Sequence, residues 1–242
     1  MTSPLVRRAA FAGILALSVL PATSTVRGVS SQGGDSQSPI DIRDGDVTFV
    51  DELPEIRFRY PDASLEVINT GSPDREATVR AVVNTTATIR VQHTTYRLTQ
   101  FHFHTPSEHL LDGEEFPLEL HLVHQASNGA LLVLGVLIEP GDRHRELRRM
   151  FRDLPADETE TRTIKHFDLD ELIPDDDDTY RYDGSLTTPP FSEGVRWIVF
   201  DEPLEMSHQQ IAAFAALFPD GNTREPQPLN DRPIVSDADN GH

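Results

Sequence analysis

QFHFHTPSEHLLDGEEFPLELHLVH, residues 100–124, carries five of the ten histidines in the chain. In an extended strand successive side chains point to opposite faces, so His102 and His104 share one face while Phe101 and Phe103 take the other. The same alternation sets Glu119, His121 and Val123 on one face of a second strand. Asp112-Gly113, a turn dipeptide, lies between the two runs and makes antiparallel pairing the economical arrangement. Directly opposed residues then have Cβ atoms about 4.5–5.5 Å apart. Three imidazoles converge and leave a fourth tetrahedral position open, which is the pattern of a catalytic zinc site and not of a structural one closed by four protein ligands. His124 falls on the face away from His121, and both it and His109 read as hydrogen-bonded supporting histidines. A rival pattern is the cupin motif H-x-H-x3-E, met by His102, His104 and Glu108. Against it, Tyr96 stands where cupins place a leading glycine, and no Pro-x-Gly precedes His121.

Outward from this stretch the chain is rich in short β-type runs. Residues 65–69, 77–83, 87–92 and 95–103 alternate apolar and polar side chains between turn-type breaks, which predicts an antiparallel sheet. Residues 131–138 form a continuous apolar run suited to a central strand buried on both faces. Helical spacing of Leu147, Met150, Phe151 and Leu154 predicts a helix over 142–154. A second is expected over 207–218, with Ser207 as its N-cap ahead of Ile211, Phe214 and Leu217. No period of 20 to 50 residues repeats, which excludes a repeat array.

The ends read differently. Arg7-Arg8, an apolar run from Ala9 to Leu20 and the small residues Ala22-Thr23-Ser24 have the layout of a secretory signal over residues 1–24. Residues 25–36 read as a flexible lead-in and 236–242 as a disordered tail. The reading implies export by the Sec or the twin-arginine route and no membrane association after cleavage. Cysteine is absent, which removes disulfides and thiolate metal ligands. The formal net charge is −19 and falls further once Arg7 and Arg8 are removed. Such a surface repels nucleic acid and anionic membranes.

Several motifs occur in one order: Gln37-Ser-Pro-Ile-Asp-Ile42, the QFHFH of 100–104, Ser107-Glu108-His109, the ELHLVH of 119–124, YDGSLTTPP at 182–190 with Trp197 downstream, and Gln227-Pro-Leu229. Together they resemble the α-class carbonic anhydrases over residues 37–235. The resemblance implies a mainly β single domain, α+β with few short helices, around a large, mostly antiparallel central sheet. It implies Zn2+ held by His102, His104 and His121, with Gln100, Glu119 and the backbone carbonyl of Asn222 orienting the rings. The activity implied is reversible hydration of carbon dioxide to bicarbonate and a proton through zinc-bound hydroxide, with Thr187 and Glu108 as the catalytic pair. Val123, Val133, Leu186, Val195 and Trp197 match the apolar wall for carbon dioxide, and Thr188 and Asn69 the polar side that carries water. Ser72 stands where many fast members place a proton-shuttle histidine, so proton transfer is expected to be slow unless another group, such as His93, takes over. A binding module of the same family without catalysis, and a cupin-like metal protein, are the alternatives.

Lys165 is the only lysine, and carboxylates outnumber bases by 40 to 21. Screening by salt relieves the self-repulsion of so acidic a chain. The unfolding midpoint is therefore expected to rise between low and molar salt; a flat or falling midpoint in denaturation curves overturns the halophilic reading.

Overall fold

The apolar run 131–138 has no polar side to offer water, and the fold places it between two packed layers. The structure, a computed structural model, describes residues 34–71, 77–158 and 160–238. The proposed signal segment, most of the lead-in, Ser72 and residues 239–242 lie outside the described residues. The described residues form one compact unit.

Along the chain come the strands β1 (Asp41–Ile42), β2 (Val47–Phe49), β3 (Ile56–Arg59), β4 (Ala63–Asn69), β5 (Val79–Val83), β6 (Thr88–Val91) and β7 (Thr94–His104). They are followed by β8 (Leu110–Leu111), β9 (Leu118–Ala126), β10 (Leu131–Pro140), β11 (Thr161–Phe167), β12 (Thr179–Ser185), β13 (Glu193–Phe200), β14 (Leu204–Met206) and β15 (Ile234–Ser236). Two short α-helices are described, α1 (Leu147–Phe151) and α2 (His208–Ala215). The main sheet runs β11-β4-β5-β7-β9-β10-β13-β12-β15-β2, so β10 is central as its composition requires. Most neighbours are antiparallel; β10 with β13 and with β14, and β15 with β2, are parallel. The chain is thus mainly β, a single domain around a large mixed sheet.

Alternation along β9 separates two layers. Leu118, Leu120, Leu122 and His124 turn to a core that also takes Phe101, Phe103, Leu132, Leu134, Val136 and Ile138. Both helices cover that face: the Phe103 ring meets Phe151 at 5.0 Å and Phe214 at 5.7 Å. Fully burying a side chain of this size contributes about 1.5–3 kcal/mol, which is why two such short helices hold their places without length of their own. On this side His124 is fully buried, its Nε2 2.6 Å from the Tyr60 hydroxyl and its Nδ1 2.9 Å from the Leu122 carbonyl. Burial pushes its pKa down to about 3, so the ring is neutral. The other face carries Glu119, His121 and Val123 toward a smaller cluster built on Val133, Val195, Trp197, Tyr182 and Ile40.

Three expectations need correction. The first helix is confined to Leu147–Phe151, not 142–154. Asp142 and His144 instead bond the side chains of Glu205 and Gln210, and Pro155 disfavours helical geometry in the residue before it. The tail does not begin at 236: Ser236 is fully buried, completes β15 and pairs with Tyr180 and Phe49. Residues 34–36 of the lead-in are tied down as well, since the Ser36 amide donates to Glu193 Oε1 at 2.7 Å and the Asp35 carbonyl accepts from Asn230.

The edge of the smaller layer depends on Gly184. A methyl group there would come within 2.1 Å of Ser38 Oγ and 2.8 Å of Tyr182 Cε2. Overpacking typically costs about 1–3 kcal/mol. Gly184→Ala should therefore lower the unfolding free energy by that amount and the denaturant midpoint with it, and an unchanged midpoint would show that Ser38 can move aside freely.

Candidate metal centre

Cross-strand register assembles the site. Along one row of the sheet, Ile68, Arg80, His102, His121, Gly135 and Val199 stand opposite one another from β4 to β13. The next row on the same face runs Gln100, Val123, Val133, Trp197 and Tyr182. Opposed residues share a face. His102 and His121 are therefore directly opposed, and His104, two residues on, stands opposite Glu119.

His102, His104 and His121 are all buried, and the ring nitrogens they offer lie within 4.8 Å of one another. Each ring has one nitrogen already committed. His102 Nδ1 donates to Gln100 Oε1 at 2.9 Å and His104 Nδ1 to the Asn222 carbonyl at 2.9 Å. His121 Nε2 donates to Glu119 Oε1 at 2.7 Å. The nitrogens left for a metal are thus Nε2 of His102 and His104 and Nδ1 of His121. Burial drives the His121 pKa down to about 3, against the opposing pull of Glu119, so the ring is neutral as a ligand must be. A buried set of neutral imidazoles without thiolate fits zinc with an open fourth position.

Asn222 uses every polar group to hold its place. Its amide nitrogen donates to the Thr105 carbonyl, its Oδ1 accepts from the Thr105 amide, and its Nδ2 donates to Ala77 and Phe103 carbonyls. Gly221 before it has φ +77° and a would-be Cβ 3.0 Å from the Thr105 carbonyl, so the close approach requires glycine.

Glu119 is the deepest carboxylate. Its Oε1 accepts from His121 and from His109 Nδ1 at 2.7 Å, and its Oε2 from the amides of Glu108 and His109 at 2.8 and 2.7 Å. Burial alone would raise its pKa, but His109 and His121 outweigh that and hold it well below the usual carboxylate range. On its other side His109 Nε2 lies 2.7 Å from the Tyr182 hydroxyl, itself 2.8 Å from Ser38 Oγ. Trp197 packs against the His109 and His121 rings, with centroids 4.8 Å away in each case.

Glu108 is 2 % exposed; its Oε1 accepts from the Arg224 amide at 2.8 Å and lies 3.5 Å from His104 Nδ1. Burial first and the charge of Glu119 second push its pKa up to about 8, while hydrogen bonds from Thr187 and the Arg224 amide work the other way. Among the described residues Oε2 has no hydrogen-bond partner. Arg224 is in turn fixed by donation to the Ser38 carbonyl and by the Phe191 ring 3.9 Å beneath its guanidinium.

The cavity before the imidazoles has a volume of about 210 Å³ and is lined by Arg80, Gln100, His102, His121, Val123, Val133, Leu186, Thr187, Thr188 and Trp197. Two residues matched to the pocket do not line it. Val195 is packed within the apolar cluster, and Asn69 spends its side chain on the Pro155 carbonyl and the Gly71 amide. His93 sits in the turn before β7, at the far end of an 11-residue strand from His104. At about 3.3 Å per residue that is roughly 35 Å away, too far to pass protons. Sequence reasoning missed Arg80 and Arg224. A strand register linking β5 to β7 would have found the first, whereas no local signal marks the second.

The cupin-like alternative does not survive. His121 stands opposite His102 as a third imidazole, and both lie in one 13-stranded mixed sheet. Comparison with known proteins agrees. The eukaryotic-type carbonic anhydrase family pattern matches residues 25–238. A carbonic anhydrase of Klebsiella pneumoniae is 39% identical over 207 residues, covering 84% of this chain and 81% of that protein. The structure of the α-carbonic anhydrase from Thermovibrio ammonificans, in complex with the inhibitor sulfanilamide, superposes with a TM-score of 0.78 at 40% identity, covering 84% of this chain and 87% of that one. Dioscorin, solved in complex with ascorbate, shares the fold at a TM-score of 0.76 and 29% identity, with 84% and 86% covered. With its fold, its buried triad and relatives matching most of its length, the chain belongs to the eukaryotic-type, α-class carbonic anhydrase family.

Proposed function

We propose that this chain catalyses the reversible hydration of carbon dioxide to bicarbonate and a proton, using zinc held by His102, His104 and His121. The observation that carries the reading is the convergence of three buried imidazoles, each with its second nitrogen engaged, on a cavity that is apolar along one side. Bound there, zinc would act as a Lewis acid that lowers the pKa of water to about 7, a magnitude known for carbonic anhydrases as a class and not obtained from this structure.

The residues around it divide the remaining work. Gln100, Glu119 and the Asn222 carbonyl fix ring orientation and tautomer, which sustains ligand basicity. Thr187 has one hydroxyl proton, and an ionised carboxylate can only accept. By donating to Glu108, Thr187 must accept from the attacking water, and this turns a lone pair of that water toward the substrate carbon. The relay needs Glu108 charged against the burial that pushes its pKa to about 8; the Arg224 amide and Thr187 work toward the charged form, and a zinc ion held by the neighbouring imidazoles would add its positive charge to that pull. Val123, Val133, Leu186 and Trp197 offer a nonpolar surface suited to carbon dioxide, and Thr188 supplies a polar group at the rim. Export is part of the proposal, supported by the layout of residues 1–24. Among the described residues, no helix is long and apolar enough to cross a membrane.

Zinc content and stopped-flow hydration of the purified protein test the reading. The wild type should bind zinc and hydrate carbon dioxide, and His121→Ala should lose both. Thr187→Val should keep its zinc while kcat/KM falls on the order of 100-fold, the usual consequence of removing one positioned hydrogen-bonding group. A zinc-loaded wild type without hydration at low or high salt would favour the binding-module alternative. Serine at position 72 cannot ionise usefully near neutral pH, so imidazole buffer should raise the turnover number. A turnover number indifferent to saturating imidazole would mean that another group already exports the proton.

A further inference from the structure

Thr187 and Glu108 stand on loops far apart in the chain, and the proposed relay works only if their side chains meet at one separation. Thr187 belongs to the connection between β12 and β13, residues 186–192. That connection is closed on itself, because the Leu186 amide donates to the Ser192 carbonyl at 3.0 Å and the Phe191 amide to the Thr188 carbonyl at 2.8 Å. A shift of Phe191 is therefore passed to Thr188 and to its neighbour Thr187.

Phe191 is held in a conformation that its own backbone disfavours. Its φ is +58°, in the left-handed region that crowds any residue with a Cβ, and a bulky side chain there is an outlier. Such a backbone persists where its surroundings over-determine it. Here the Phe191 carbonyl accepts from Gln37 Nε2 at 3.3 Å, and the ring lies beneath the Arg224 guanidinium, 3.9 Å from its centroid. The ring quadrupole attracts the cation, the more so because both residues are half-buried.

The backbone of the same arginine reaches the carboxylate. Its amide donates to Glu108 Oε1 at 2.8 Å, while its guanidinium also donates to the Ser38 carbonyl at 2.7 Å. Arg224 thus grips with its side chain the loop that carries the hydroxyl, and with its backbone the group which that hydroxyl must reach.

We propose that Phe191 and Arg224 are positioning residues for the reaction, their stacked contact locking the connection 186–192 against the segment around Arg224 and so fixing Thr187 on Glu108. The inference rests on the carbon dioxide reading and adds to it a contact that touches neither substrate nor metal ligand. Loosening the contact spreads the Thr187–Glu108 geometry and slows attack on the substrate. The imidazoles, carried on β7 and β9, keep their places.

The test compares zinc-loaded wild type with Phe191→Leu, Phe191→Tyr and Arg224→Gln by stopped-flow hydration, each alone and in a Thr187→Val background. Amide hydrogen exchange at Leu186 and Arg224 is followed in parallel. Leucine keeps an apolar side chain on the same left-handed backbone without an aromatic face, so Phe191→Leu should lower kcat/KM about tenfold at unchanged zinc content. Phe191→Tyr keeps the face and should recover most of that loss. In the Thr187→Val background the leucine change should lower kcat/KM by less than about twofold, because the group it positions is already gone. Exchange at the Leu186 and Arg224 amides should quicken in Phe191→Leu while the amides of β9 are unaffected. Arg224→Gln keeps the backbone amide, removes the cation and should reproduce both effects; it carries the comparison alone should the leucine variant not fold. A kcat/KM that stays at the wild-type value in Phe191→Leu and Arg224→Gln overturns the proposal. So does an equal loss with and without Thr187, which would assign the contact to the framework. A wild type that hydrates no carbon dioxide refutes the enzyme reading by itself; the exchange rates then decide whether the contact joins the two segments, and unchanged rates overturn it.

Discussion

A carboxylate sealed inside a sheet has to be supplied with donors, and Glu119 receives four of them. Two come from rings and two from the backbone of the Glu108-His109 segment. This arrangement ties a metal-ligand strand to the loop that carries Glu108, so the orientation of the zinc ligand and the placing of the proposed catalytic carboxylate have one common support. An ionised group without partners in such surroundings would cost several kcal/mol. Gly135 makes room for it: a Cβ at that position would stand 3.1 Å from Glu119 Oε1 and 3.3 Å from Val199 Cγ2. The central strand is therefore both the most apolar in the chain and the one that must lack a side chain where the carboxylate passes.

Much of this architecture was legible because strand periodicity is a local property. Alternation in 65–69 and 95–103 foreshadowed β4 and β7, and the unbroken apolar run foreshadowed β10. The convergence of His102, His104 and His121 followed from period two plus one turn. Helix α1 was overextended because Leu147, Met150, Phe151 and Leu154 repeat at the right spacing while the residues before them are claimed by Glu205 and Gln210 from a distant segment. Ser236 reads as tail in the sequence because three residues of strand are too few to show a period. Arg80 went unnoticed for a different reason. An arginine in a strand looks like a solvated edge residue until its neighbour across the sheet is known to be a metal-ligand histidine. His93 was considered for proton transfer because histidine chemistry is visible in sequence and distance is not.

The site joins two physical regimes. Behind the imidazoles lies a closed polar network through Glu119, His109, Tyr182 and Ser38, where nearly every donor finds an acceptor and the geometry is rigid. In front lies a mainly apolar wall on which Arg80 is the one arginine among the described residues. Rigidity behind allows the space in front to be small and chemically plain.

The bonds that complete the centre span long stretches of chain. Asn222 reaches His104 across 118 positions, Arg224 reaches Glu108 across 116, and Tyr182 meets Ser38 across 144. Such loops are the most expensive to close and the last to form. The three imidazoles can come together when β7 and β9 pair, with Gln100 and Glu119 already beside His102 and His121, yet the Asn222 carbonyl behind His104 and the Arg224 amide at Glu108 come from a segment more than 100 residues further on. Until that segment has docked, the His104 ring would lack the acceptor that fixes its tautomer and Glu108 the amide that favours its charge, so the centre gains its rigidity from the most distant contact it makes.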